Sequence, residues 1–201
     1  MDTADPRLSG QFVDALRYAA ELHSNQVRKG GDIPYIGHLL SVAALVLEAG
    51  GTETQAIAAL LHDAAEDQGG AAVLAEIERR YGPEVAAIVG ECTDTVETPK
   101  PPWRERKQNY IAHLHSASDD AVLVSLADKL DNARAILRDV REIGSALWER
   151  FSVSDPQLHL WYYRSLLGVY QSRNRTWLVD ELRRVLHELG EQINAPSVTP
   201  G

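Results

Sequence analysis

Residues 56–67 read Ala-Ile-Ala-Ala-Leu-Leu-His-Asp-Ala-Ala-Glu-Asp, and they constrain this chain more than any other stretch. Six apolar residues run unbroken into His62-Asp63, and two alanines later come Glu66-Asp67. A helix that is apolar on every side belongs in the interior, so the pattern predicts a buried central helix. That helix carries one imidazole and three carboxylates to a place where unpaired charge is expensive. Buried carboxylates beside a histidine need a cation, and the stretch therefore reads as a metal site with extra acids next to it. His62 and Glu66 are four apart, as are Asp63 and Asp67, so on a continuous helix they form adjacent stripes. If the helix loosens near Ala64, the acids instead swing around the ion into a cleft.

The remaining pattern is helical throughout. Apolar spacing predicts helices over 9–23, 39–49, 71–81, 84–91, 103–115 and 119–139, with a short piece at 144–151. Thr52-x-x-Gln55 is a capping box for the central helix. Asp155-Pro156 supplies an N-cap and first-turn proline for an aromatic helix with Trp161, Tyr162, Tyr163 and Tyr170. Leu178, Leu182, Val185 and Leu189 stripe a last helix, with Gly190 as its cap. No strand, repeat or low-complexity tract is evident. The expected fold is all-α, a single-domain bundle of about eight to ten helices over 9–190. Residues 1–8 and 191–201 are expected to be flexible ends.

At 201 residues the chain suffices for one sizeable core. Its single cysteine, Cys92, rules out an internal disulfide and a cysteine-based zinc cluster, which fits a reducing compartment. No signal peptide is read at the N-terminus, and no apolar run approaches the roughly 20 residues that span a bilayer. A cytoplasmic protein with no membrane partner is expected. The formal charge of −9 argues against a general nucleic-acid binder. It leaves room for a small phosphorylated substrate, which needs only a metal and a few local cations.

Asp128 lies on the helix predicted over 119–139, away from the stripe of Leu123, Leu126, Leu130, Ala133 and Leu137. It shares a small-residue face with Ala121, Val124, Asn132 and Ala135, where a solubilising charge is poorly explained. With Asn132 one turn later it reads as a ligand followed by a substrate-contacting amide. His38 opens the apolar helix expected over 39–49, either as a boundary residue or as the fourth ligand that the site needs. His38, His62, Asp63 and Asp128 make a mixed nitrogen and oxygen set suited to a borderline divalent ion. Ligand type alone leaves zinc, manganese and iron open.

Arg28-Lys29 sits in a glycine-bearing loop, either as a solvated turn or as a phosphate or base clamp. Arg104, Arg106 and Lys107 read as a solvated helix face, with Lys107 able to reach a cleft. Trp161-Tyr162-Tyr163 reads as core packing ahead of a base-stacking platform. His113, His115, His159 and His187 show no ligand spacing. The aromatic C-terminal helices leave a homodimer open, since periodicity does not separate partner from core.

Three segments together resemble the HD phosphohydrolase superfamily, and within it the hydrolase domain of the RelA/SpoT alarmone enzymes. They are Arg28-Lys29-x-x-x-x-Pro34-Tyr35-Ile36-x-His38, Leu60-Leu61-His62-Asp63-x-x-Glu66-Asp67 and Leu126-Ala127-Asp128-Lys129-Leu130-Asp131-Asn132. The chain is similar to the stand-alone small hydrolases of that group. The resemblance implies that His38, His62, Asp63 and Asp128 hold one divalent ion, usually manganese. It implies that Glu66 and Asp67 activate and position the attacking water. Asn132 would contact the nucleotide near the ribose and 3′-phosphates, and Arg28 and Lys29 the base and phosphates. The implied reaction is hydrolysis of the 3′-pyrophosphate of ppGpp or pppGpp to GDP or GTP and pyrophosphate. Adenine alarmones, NADPH and nucleoside monophosphates are the alternative substrates, and a non-catalytic nucleotide sensor is the alternative class. Leu39 stands where the family usually has proline, which bears on the helix start more than on the chemistry.

Overall fold

The computed structural model describes residues 7–95 and 99–194. In chain order the helices are α1 Gly10–Leu22, α2 Ile36–Glu48, α3 Glu53–Leu61, α4 Ala64–Gln68 and α5 Gly70–Tyr81. They continue as α6 Pro83–Cys92, α7 Trp103–Leu114, α8 Asp119–Ile143, α9 Pro156–Arg173 and α10 Trp177–Asn194. A 3-10 helix, Gly144–Arg150, links α8 to α9. Among the described residues there is no named strand, only one antiparallel bridge between Val27 and Pro34. The expected all-α bundle is what forms.

α8 is the axis. It packs against α2, α3, α6, α9 and α10, and its leucine stripe of Leu123, Leu126, Leu130 and Leu137 is buried as expected. Ser118 starts it by accepting from the Ala121 N–H, and Asp119 and Asp120 complement the helix dipole in the first turn. α3 begins at the expected capping box: Thr52 Oγ1 accepts from the Gln55 N–H, and Gln55 Oε1 from the Thr52 N–H. All six apolar residues from Ala56 to Leu61 are buried, so the run lies in the interior as its pattern requires.

Three details differ from the sequence reading. α2 starts at Ile36 rather than 39, which puts His38 inside its first turn. Hydrogen bonds from the Gly37 N–H to Pro34 O and from the His38 N–H to Tyr35 O tighten that start. α8 runs on to Ile143, one turn beyond the expected end. Gly190 does not cap the last helix, which continues to Asn194 and so takes in part of the stretch expected to be a flexible tail. Its lack of a side chain serves a helix crossing instead: a Cβ there would sit 2.9 Å from Arg164 Nη2 and 3.7 Å from Leu160 Cδ2 on α9. Most of the two expected flexible ends lies outside the described residues.

Tyr162, Tyr163 and Tyr170 of α9 are buried within the chain, which assigns them to the core. Ser125 on α8 joins two tyrosines in a buried relay, with its hydroxyl 2.8 Å from Tyr110 Oη and 2.7 Å from Tyr170 Oη. Ser125→Ala leaves both phenols short of a partner. It is expected to lower stability by about 1–3 kcal/mol in urea unfolding. A loss under about 0.5 kcal/mol would mean that the phenols are satisfied without the serine.

Candidate metal centre and cleft

The continuous central helix expected over 56–67 breaks at His62-Asp63. α3 ends at Leu61, His62 and Asp63 form a turn, and α4 restarts at Ala64. This is the loosening that the sequence left open, placed two residues earlier. It turns His62 and Asp63 toward α2 and α8 while Glu66 and Asp67 stay at the cleft rim.

Two imidazoles meet two carboxylates there. His38 Nε2 lies 3.3 Å from Asp128 Oδ1 and 3.6 Å from Asp63 Oδ2. His62 Nε2 lies 3.1 Å from Asp63 Oδ2 and 3.6 Å from Asp128 Oδ1. His38, His62 and Asp128 are each at most 4% exposed. The opposite ring nitrogens are committed. His62 Nδ1 lies 2.8 Å from the Ala59 carbonyl, and His38 Nδ1 lies 2.6 Å from Asp131 Oδ2. Both partners can only accept, so each Nδ1 carries the proton and each Nε2 lone pair faces the shared space. Both Nε2 atoms are buried without a hydrogen-bond partner. Adjacent donors around one ion with bonds of about 2.1 Å have comparable separations. The residues fit a divalent ion.

The electrostatics agree. Burial alone would lower the His38 pKa, yet the carboxylates of Asp128, Asp131 and Asp63 outweigh it and raise it to about 9. His62 is likewise pushed down by burial but driven well up, chiefly by the charge of Asp63. Burial raises Asp128 and Asp63, whereas the Lys129 charge and the His62 charge, respectively, lead the opposing effects that hold them well below the usual range. A metal-free centre therefore recruits protons, and a cation would replace them.

Several supporting residues escaped the sequence reading. Asp131, three after Asp128, accepts from Ser41 Oγ at 2.5 Å as well as orienting His38. It stands in the segment 126–132 that carries the family resemblance, without a role assigned to it there. Asp131→Ala is expected to weaken metal affinity roughly 10–100-fold by freeing the His38 ring. Competition with a chelating dye checks this, and unchanged affinity would limit Asp131 to packing. Tyr35 Oη donates to Asp63 Oδ2 at 2.5 Å, and Lys129 pairs with Asp128 Oδ2.

The centre opens into a cleft of about 790 Å³. Its wall includes Asp63, Glu66, Asp67, Asp128, Asn132, Arg28 and Lys29. The expected site residues are thus brought together, His38 and His62 lying beneath. Lys100 Nζ donates to Glu66 Oε1 at 2.7 Å, and Gln26 Nε2 to Asp67 Oδ2 at 2.7 Å. Partial burial in the cleft wall and the nearby Asp63 charge raise the Asp67 carboxyl, against the lowering effect of Gln26. Asn132 donates to Asp128 Oδ1, so its amide touches the metal ligand as well as lining the cleft.

Arg28 and Lys29 diverge. The bridge between Val27 and Pro34 makes their loop a small hairpin, closed by the Arg28 N–H to Ile33 O bond of 2.9 Å. Arg28 Nη2 turns inward to within 3.8 Å of Asp131 Oδ2. Lys29 Nζ points the other way, 5.8 Å from the centre of the Phe151 ring. Lys107 does reach the cleft, with Nζ 2.9 Å from Asp94 Oδ2. His159 lines it too, held by the Val153 carbonyl at 2.7 Å. Tyr162 and Tyr163 are buried and also contribute to the cleft wall, while Trp161 is half-buried under Arg104.

Comparison with known proteins agrees with this geometry. The HD domain profile matches residues 15–152. The chain belongs to the HD domain family. It is 42% identical over 130 residues to a Xenopus tropicalis protein named guanosine-3′,5′-bis(diphosphate) 3′-pyrophosphohydrolase MESH1, covering 63% of this chain and 70% of that one. It is 37% identical over 150 residues to the human protein of that name, covering 73% and 79%. A solved structure described as a metazoan ortholog of SpoT that hydrolyzes ppGpp superposes with a TM-score of 0.75 at 29% identity, covering 94% of this chain and 99% of that one. The present chain is an HD-fold protein with the donor set for a divalent ion, and no helix among its described residues is long and apolar enough to cross a membrane.

Proposed function

We propose that this HD protein hydrolyses the 3′-pyrophosphate of ppGpp and pppGpp, releasing GDP or GTP and pyrophosphate, with manganese as its ion. The observation that carries the reading is the pair of buried, unpartnered Nε2 atoms facing Asp63 and Asp128 beside Glu66 and Asp67. The related hydrolases named above support the substrate. An intact donor set favours an enzyme over a degenerate sensor.

His38, His62, Asp63 and Asp128 would hold the ion, which when bound polarises a phosphoryl oxygen and acidifies water. Glu66 and Asp67 face the cleft, Glu66 as the proton acceptor for the attacking water and Asp67 to position that water. Lys100 orients Glu66 and, with Lys107, lends positive charge to the pyrophosphoryl group under attack. Asn132 supports Asp128 and presents its amide toward the ribose. The water oxygen bonds to the phosphorus next to O3′, the P–O3′ bond breaks, and the ribose oxygen takes up a proton. Local cations explain how a chain of net charge −9 accepts a polyanion. A small cytoplasmic nucleotide, not nucleic acid, is the proposed partner.

Ion-exchange analysis of products tests this, with manganese-loaded protein and ppGpp, ppApp, NADPH and GMP in parallel. GDP plus pyrophosphate from ppGpp is the expected result. Turnover of only another nucleotide would move the substrate and keep the mechanism. No turnover of any by metallated protein would sink the enzyme reading.

A further inference from the structure

His23, the residue that caps α1, is only 2% exposed, although it is not one of the four donors proposed for the ion. A buried imidazole ordinarily finds partners for both ring nitrogens, and this one has them on one side alone. Nδ1 lies 2.7 Å from Gln26 Oε1, whereas Nε2 is buried without a hydrogen-bond partner. The ring stacks on Tyr35, with centroids 5.3 Å apart and planes inclined by 20°. Tyr35 in turn donates to Asp63, so the histidine stands one contact behind the metal centre and one behind Asp67.

The tautomer of this ring follows from what Gln26 has to do. Gln26 Nε2 donates to Asp67 Oδ2 at 2.7 Å, and an ionised carboxylate accepts only from the nitrogen end of an amide. The oxygen end therefore faces inward, where Gln68 Nε2 donates to it at 2.5 Å. An amide oxygen only accepts, so His23 carries its proton on Nδ1 and its lone pair on Nε2. The Gln68 amide then finds no acceptor at Nδ1, and the two nitrogens stand 3.4 Å apart. A flipped Gln26 would set its oxygen against the Asp67 carboxylate and its N–H groups against Nδ1–H. His23 and Gln68 together thus decide which end of Gln26 reaches Asp67.

We propose that His23 is a positioning residue for Asp67: as a neutral Nδ1–H imidazole it locks the Gln26 amide, which holds Asp67 Oδ2 and leaves Oδ1 to aim the attacking water. The inference rests on the proposed hydrolysis, because that reaction gives Asp67 its water. The three side chains come from the end of α1, the loop that follows it and α4, so the alignment exists only in the folded chain. Packing on Tyr35 is the competing role for the histidine. That role needs only a ring, whereas the relay needs only a donor at the Nδ1 position.

Two variants separate the donor from the ring. His23→Asn sets an amide N–H where Nδ1 stood, and His23→Leu fills the space with no donor. With ppGpp and manganese-loaded protein, His23→Leu is expected to lower kcat roughly tenfold, with KM within about twofold of wild type. His23→Asn should recover kcat to within about threefold of wild type. In an Asp67→Asn background the further loss from His23→Leu should shrink below about twofold, because the residue it acts through has gone. Equal losses in His23→Leu and His23→Asn would assign the histidine to packing on Tyr35 and overturn the proposal. An undiminished loss in the Asp67→Asn background, or no loss in His23→Leu, would do the same. Should circular dichroism show His23→Leu misfolded, Gln26→Leu keeps the ring and is expected to reproduce the kcat loss, and a normal rate overturns the relay. Nitrogen-15 NMR of zinc-loaded protein at mildly alkaline pH reads the tautomer directly, with the proton expected on Nδ1. A proton on Nε2 overturns the relay whether or not any nucleotide is hydrolysed. If wild type turns over none, the proposed reaction fails on its own.

Discussion

His62→Ala is expected to leave the protein folded, free of bound ion and inactive. His62 supplies one of two buried Nε2 donors, and the Ala59 carbonyl fixes its tautomer. No neighbour can replace it, because Asp63 and Asp128 already occupy the other sides. Loss of a nitrogen donor from a four-residue set is expected to lower activity roughly a thousandfold or more and metal content to near zero. Elemental analysis after gel filtration reads the metal, and circular dichroism confirms the helices. His187→Ala, an exposed position on α10 near Glu191, is the control and should change neither quantity. A His62→Ala protein that keeps a full complement of ion and its rate would place the metal elsewhere.

Glu66→Gln should separate chemistry from metal binding. The substitution keeps the side chain's size and an oxygen acceptor for Lys100 Nζ but removes the proton acceptor. Glu66 is not one of the four proposed donors, so metal content should equal that of wild type. The turnover number is expected to fall about 10²–10⁴-fold, the usual contribution of a positioned general base. KM should move far less. Asp67→Asn is expected to lose less, because Asp67 is held at the rim by Gln26 and its proposed share is positioning. Near-normal rates in Glu66→Gln with collapse in Asp67→Asn would transfer the base to Asp67, whose raised pKa already suits it.

Much of this was legible in the chain. The apolar run before His62 predicts burial because only an interior accommodates a helix with no polar face. The capping box at Thr52 and Gln55 and the leucine stripe of α8 are local signals, decided within one or two turns, and they form as written. His62, Asp63 and Asp128 were also legible as candidate donors, since carboxylates and imidazoles at apolar positions demand compensation, whereas spacing alone left His38 open between a boundary residue and a ligand.

What the sequence left unresolved depends on contacts between distant segments. The break at His62-Asp63 has no glycine or proline to announce it. Asp131 looked like any helical acid until α8 packed against α2 and brought His38 Nδ1 to within 2.6 Å. Tyr35, Gln26 and Lys100 act on acids 28, 41 and 34 residues away, beyond the reach of any local pattern. Gly190 resembles a helix cap in isolation, whereas packing against Arg164 makes it a crossing point. Arg28 and Lys29 are adjacent in sequence, and only the hairpin sends one toward the metal centre and the other toward Phe151. The sequence by itself determined the helices, the buried donors and the acids beside them, because periodicity and burial are local properties of residue type. The tertiary structure alone decided which donors converge, which nitrogen each imidazole offers and where the cleft cations stand, because those depend on through-space distances that the packing of α2, α8 and the 3-10 helix sets.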